Sequence, residues 1–284
     1  MVDVTAPLPD ARREGDVLVR REAHYRMVDG FRPLALDLHV PATPGTDAVP
    51  LLVFVHGGAF RFGHRTLLPP VLAGLFQDLP AQGVAVATVD YRLSGEALWP
   101  ACVDDVRHAV TWLRDRAGEL GLDADRVALW GESAGGYLSL AAGLSLAADG
   151  VPVRGIVDWY GPIDFSTMAA QGAPWTDGPD SPESLLLGAP VRTVPDLVAE
   201  ANPCRLLTPD SPPILIMHGT ADRAIPYEQA LQLRQACREA GVTHTLVPVE
   251  GGGHGFPGGD SASLTEPVTS FFRAVLARVP SGGH

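Results

Sequence analysis

Four short segments of this 284-residue chain carry residue types that together can do acyl-transfer chemistry. The first is Gly131-Glu132-Ser133-Ala134-Gly135, placed between the apolar run 126–130 and a long stretch of helical composition. A serine at such a strand-to-helix turn is held strained with its hydroxyl exposed, and glycines two residues to either side allow close backbone approach. A seryl hydroxyl is a weak nucleophile at neutral pH, so it needs a base that is itself oriented by a carboxylate. His254, within Gly251-Gly252-Gly253-His254-Gly255, is the candidate base, and Asp222, in the turn after the apolar run 213–218, is the candidate acid. Asp158 and Asp164, after the preceding strand, compete with Asp222 for that role, but either can serve instead as a turn or cap residue, and Asp222 is preferred.

The remaining segment is His56-Gly57-Gly58-Ala59-Phe60, directly after the run 51–55. Glycines there let backbone N–H groups turn toward a developing oxyanion, and the residue after the nucleophile offers one more. The expected hole is Gly58, Ala59 and Ala134. Losing one such donor costs about 2.7–4 kcal/mol of transition-state stabilisation, so loop geometry matters as much as the nucleophile. Phe60, Trp159, Met168 and Trp175 are candidate apolar walls of a substrate pocket, His56 a brace for the loop, and His218 the end of a core strand. There is no HExxH, no metal-ligand spacing and no phosphate-cradling loop followed by Lys. Neither a metal nor another cofactor is expected.

Elements must hold these residues together. Short Val-, Ile- and Leu-rich runs alternate with stretches of helical period, the pattern of an α/β fold with a mostly parallel sheet. The runs predict eight strands, at 17–25, 34–40, 51–56, 84–90, 126–130, 153–159, 213–218 and 244–249. The first two follow one another through a turn at Asp29-Gly30, which makes them antiparallel. Helices are expected within 67–81, from Pro100 onward, and within 133–148, 227–240 and 264–278. Val103, Val106, Val110, Leu113 and Ala117 form one apolar stripe. Residues 41–50 read as a loop, and 161–212, rich in Pro, Gly, Ser and Asp, as a lid-like insertion after the sixth strand of a single domain 1–284.

Composition narrows the function classes. The chain is 46% hydrophobic and carries a formal net charge of −12, from 33 acidic against 21 basic residues, every basic one an arginine. A negative balance disfavours a phosphate-backbone partner, so no nucleic acid is expected. No run of eighteen apolar residues occurs, and no secretory segment is evident, which predicts a cytoplasmic protein without membrane spans. Cys102, Cys204 and Cys237, an odd number outside any CxxC, read as free thiols.

Taken together, LDLHVP (36–41), FVHGGAFRFGHR (54–65), VDYRLS (89–94), ALWGESAGG (128–136), DWYGPIDF (158–165), DSPESLLLGAP (180–190), PPILIMHGTADRAIPY (212–227) and VEGGGHGF (249–256) resemble the α/β-hydrolase superfamily. Within it they are similar to hormone-sensitive-lipase-like carboxylesterases and to the bacterial feruloyl and acetyl-xylan esterase group. The resemblance covers most of the chain and implies a serine hydrolase with Ser133, Asp222 and His254 as triad, acting on small, short-acyl esters. It implies that the region around DSPESLLLGAP lies over the site. The sequence departs from the frequent HGGG at Ala59, which restricts the backbone. An amide or formamide hydrolase of the kynurenine formamidase type keeps the same triad, although Phe60 stands where that group has Trp. A non-catalytic, hydrolase-fold small-molecule receptor is a third reading, opposed by the complete triad. The partner expected is a small-molecule ester, with a homo-oligomer left open.

Overall fold

Continuously apolar strands, as parallel ones are, need cover on both faces, and the longer helical segments between them supply it. The computed structural model describes residues 7–43, 47–72 and 74–277. Ala73, Arg278 and residues 44–46, which fall in expected helices and the expected loop, lie outside them, as does His284. Among the described residues the strands are β1 (Arg12–Glu14), β2 (Val17–Arg26), β3 (Leu34–Pro41), β4 (Val49–Val55), β5 (Ala85–Val89), β6 (Leu122–Glu132), β7 (Val153–Trp159), β8 (Ile214–Gly219) and β9 (His244–Val249). They form one sheet in the order β1-β2-β3-β5-β4-β6-β7-β8-β9. From β5 through β9 all neighbours are parallel, whereas β1, β2 and β3 build an antiparallel edge.

Nine strands replace the eight expected. The additional one is β1, an Arg-Arg-Glu segment exposed throughout that carries no apolar alternation. It pairs with β2 through a turn at Gly15, whose φ is +65°.

The helices are α1 (Leu75–Ala81), α2 (Ala101–Asp115), α3 (Ala117–Leu120), α4 (Ala134–Ala148), α5 (Phe165–Met168), α6 (Pro182–Leu187), α7 (Pro195–Ala201), α8 (Glu228–Ala240) and α9 (Ser261–Val275). The apolar stripe of α2 and α3 is buried at all five expected positions. Alternation along the strands divides the interior in two. Leu51, Val53, Val55, Leu129 and Ile156 face α2, α4 and α8, while Leu52, Phe54, Trp130, Val157 and Trp159 face α1 and α9. None of these helices is long and apolar enough to cross a membrane.

Residues 161–212 follow β7 as expected but are not an unstructured connection. They contain α5, α6, α7 and three single-turn 3-10 segments, and their Ile163, Phe165, Leu186, Val191 and Val198 join the main core. The buried Gln229 of α8 ties the segment down, accepting the N–H groups of Ile163 (2.7 Å) and Asp164 (2.8 Å) and donating to Gln171 Oε1 (2.6 Å). Asn202 caps the last of these turns, its Oδ1 accepting the Cys204 N–H at 2.9 Å.

Candidate active site

Parallel strands end on the same edge of the sheet, so the loops after β4, β6, β8 and β9 converge there. Ser133 stands between β6 and α4 at φ 53° and ψ −124°. An L-residue is rarely found there, and such strain persists only where surroundings over-determine it. The surroundings are visible in the glycines. A Cβ on Gly131 would lie 2.0 Å from the Gly135 carbonyl oxygen, and one on Gly135 would lie 2.0 Å from that of Val55. Helix α4 is therefore seated directly on the ends of the central strands, and the Ser133 N–H is fixed by the Trp159 carbonyl at 2.8 Å.

His254 Nε2 lies 3.0 Å from Ser133 Oγ, and its Nδ1 lies 2.8 Å from Asp222 Oδ2. The other Asp222 oxygen accepts the N–H groups of Ala224 (2.8 Å) and Ile225 (3.0 Å). Burial alone would raise this carboxyl, but hydrogen bonds from His218 and His254 and from the backbone outweigh it and hold Asp222 well below the usual carboxylate range. Asp222 is thus a fixed anion that selects the Nδ1–H tautomer of His254 and leaves Nε2 as the acceptor facing serine. The two rival acids are occupied elsewhere: Asp164 caps α5 through Ser166, and Asp158 accepts the Gly161 N–H at 3.1 Å.

After β4, Gly58, Ala59 and Phe60 all have positive φ, at 112°, 54° and 60°. Three consecutive residues in that region turn the backbone sharply, and a Cβ at Gly58 would meet the Phe62 carbonyl oxygen at 2.2 Å. Among the described residues, the N–H groups of Gly58, Ala59 and Ala134 have no hydrogen-bond acceptor in the protein. The loop is braced from several sides. His56 stacks on Tyr91 at 4.4 Å and donates from Nδ1 to the Gly57 carbonyl, and burial lowers its pKa to about 4. Glu132 accepts the Gly57 N–H on Oε1 at 2.7 Å. Arg65 donates from Nε to Asp37 on β3 (2.7 Å), and from its N–H (2.8 Å) and Nη1 (3.0 Å) to Asp90 after β5. Charge-assisted pairs of this kind are among the stronger protein hydrogen bonds.

A cavity of about 430 Å³ opens beside Ser133. Gly58, Ala59, Ala134 and His254 line it with Phe60, Phe62 and Glu132, while Pro162, Trp175, Pro182 and Glu183 come from the 161–212 segment. Phe60 and Trp175 are where the sequence reading puts them. Trp159 and Met168 are not: both are fully buried in the core. Trp159 points to the opposite face of β7, packing on Trp130, Tyr160 and Phe256, with Nε1 toward Met217 Sδ at 3.1 Å. Proximity to a motif says nothing about which face of a strand a side chain takes. Phe62, Glu132 and Glu183 were missed; the Glu at the second position of the elbow motif was the signal available for one of them.

The BD-FAE family model matches residues 36–237. The chain belongs to the BD-FAE family. This BD-FAE chain is 30% identical over 265 residues to Esterase LipC of Mycobacterium tuberculosis, covering 89% of itself and 63% of LipC. It is 34% identical over 156 residues to Carboxylesterase NlhH of the same species, 54% of this chain and 46% of NlhH. The chain thus spans less than two thirds of the length of these curated relatives. Among solved structures, a truncated carbohydrate esterase from gut microbiota superposes with a TM-score of 0.78 at 25% identity, covering 96% of this chain and all of that one. A bacterial heroin esterase gives 0.74 at 25% identity, over 92% and 85%. The BD-FAE sheet and its helices are those of the α/β-hydrolase fold.

Proposed function

We propose that this chain is a serine carboxylic-ester hydrolase acting on small esters through Ser133, His254 and Asp222. The observation that carries the reading is the unbroken hydrogen-bonded line from Ser133 Oγ through both His254 nitrogens to Asp222. His254 Nε2 accepts the seryl proton as Oγ attacks the ester carbonyl; Gly58, Ala59 and Ala134 receive the oxyanion. Collapse of the tetrahedral intermediate breaks the carbonyl carbon–alkoxy bond, and the imidazolium returns its proton to the departing alcohol. A water then attacks the acyl-enzyme with His254 as base again, releasing the acid and restoring Ser133. Asp222 stays ionised throughout and stabilises the imidazolium.

The names of the relatives support ester chemistry, and a cavity of about 430 Å³ suits a small substrate. The 161–212 segment acts as a cap that shapes the pocket. The test is exposure to a fluorophosphonate followed by intact mass and peptide mapping, beside turnover of a short-chain nitrophenyl ester and of N-formylkynurenine. A single adduct on Ser133 with preferential ester turnover is expected. Ester turnover retained by Ser133→Ala overturns the assignment, and preferential formamide turnover moves it to an amide hydrolase.

A further inference from the structure

Glu183 is a carboxyl group in an unusual place. It sits in the first turn of α6 on the capping segment, is only 3% exposed, and lines the cavity that holds Ser133. Its Oε2 has no hydrogen-bond partner in the protein. Buried polar atoms of native proteins nearly always find a partner, so an orphan oxygen on a residue that lines a cavity marks a carboxyl whose hydrogen bonding a ligand can complete. The neighbourhood fixes the helical turn that carries the group. Ser181 accepts the Ser184 N–H at 3.1 Å and donates to the Thr176 carbonyl at 2.8 Å, and the Leu186 carbonyl accepts the Trp99 N–H at 2.9 Å.

From this geometry we infer that Glu183 is a specificity-determining residue, whose free carboxyl oxygen accepts a hydrogen bond from an uncharged hydroxyl on the substrate. The inference rests on the ester-hydrolase reading of the same cavity. A hydroxyl fits better than a cation for two reasons. Burial pushes the Glu183 carboxyl up to about 7, so much of it is neutral near that pH and offers a cation little attraction, whereas its oxygen accepts from a hydroxyl in either form. The other walls are chiefly Phe60, Phe62, Trp175, Pro162 and Ile225, which bury carbon and would leave an ammonium without its water. Glu132, the second carboxyl lining the cavity, is already engaged by both the Gly57 N–H and the Tyr160 side chain.

The experiment compares kcat/KM for ethyl butyrate with that for two hydroxylated partners, hydroxyethyl butyrate and ethyl hydroxybutyrate, and for the cationic butyrylcholine. One hydroxylated ester should be preferred to ethyl butyrate by about tenfold or more, mainly through KM, since a site built to bond a hydroxyl discriminates against the analogue lacking it. Glu183→Leu should bring that ratio close to one, and Glu183→Gln, which keeps an acceptor of the same shape, should preserve much of it. Circular dichroism melting establishes that each variant is folded, and Glu183→Ala, which also removes the acceptor, carries the test if Leu does not fold. Cleavage of all esters without preference for a hydroxyl, or a preference that survives Glu183→Leu, overturns the inference and leaves the hydrolase reading standing. A preference for butyrylcholine above both hydroxylated esters also overturns it. If the wild-type protein cleaves no ester, the hydrolase reading fails and takes this inference with it.

Discussion

The two walls of the cavity are built on opposite principles. On the sheet wall, Ser133, His254, Asp222 and Glu132 all have protein partners, held by strand ends and glycines that admit no side chain. On the cap wall, short helices and single turns present Trp175, 49% exposed, and Glu183, whose Oε2 is unpartnered. The difference teaches where preorganisation is spent. Bond-making needs groups fixed before substrate arrives, whereas recognition is completed only by the substrate itself.

Substitutions should therefore fall in a graded order across the two walls. His254→Ala should lower kcat by about 10⁶ and Asp222→Asn by about 10⁴, read by steady-state kinetics on a short nitrophenyl ester. Glu132→Ala should cost roughly 10²–10³ in kcat, comparable to losing one oxyanion donor, because it frees the Gly57 N–H; Glu132→Gln should recover most of this. Similar losses for Ala and Gln would show that Glu132 acts by charge and not by holding the loop. Trp175→Ala on the cap should act chiefly on KM, by roughly 1 kcal/mol in kcat/KM. A kcat loss as large as that of Glu132→Ala would erase the distinction between the walls.

The walls should also answer pH with opposite signs. Asp222, held low in the fold, contributes stability that is present above the ordinary carboxylate pKa and lost as pH falls through its depressed value. Glu183, raised by burial to about 7, favours its neutral form, so its contribution is full below the ordinary value near 4 and is lost as pH rises toward 7. Glu132 and His254 are the other titratable groups lining the cavity, and neither is changed by the substitution. Melting curves of Glu183→Gln should accordingly gain on the wild type as pH rises from about 4 to about 7, by a few degrees at most. A gain independent of pH would show that the carboxyl is not titrating in the fold.

How much of this was legible in the residues follows the same division. Ser133, Asp222 and His254 announce themselves because each sits in a glycine-rich or turn-forming segment directly after an apolar run, whereas Asp158 and Asp164, which fit the same chain order, are set aside only by their partners in the fold. The oxyanion loop is readable for the same reason. Trp159 and Met168 failed because an aromatic or apolar residue near a motif looks the same whether it faces a pocket or the core, and only strand parity, seen once β7 is in place, separates them. Glu183 was hidden by the opposite problem, since a Glu after Ser-Pro reads as an exposed first-turn residue of a helix. Strand β1 was missed because Arg12–Glu14 is exposed throughout and carries no apolar alternation.

The clamp at Arg65 changes what counts as the smallest working unit of this fold. The parallel strands and their loops contain every group assigned to bond-making, yet the segment beyond the oxyanion turn is anchored to Asp37 on the antiparallel strand β3, whose Oδ1 also takes the Glu22 N–H at 2.7 Å. A chain trimmed to the parallel half would keep Ser133 and the Asp90 contacts of Arg65 but lose the bond to Asp37. Transplanting this chemistry into another scaffold means carrying β2 and β3 along with it, as structural cargo that never meets the substrate.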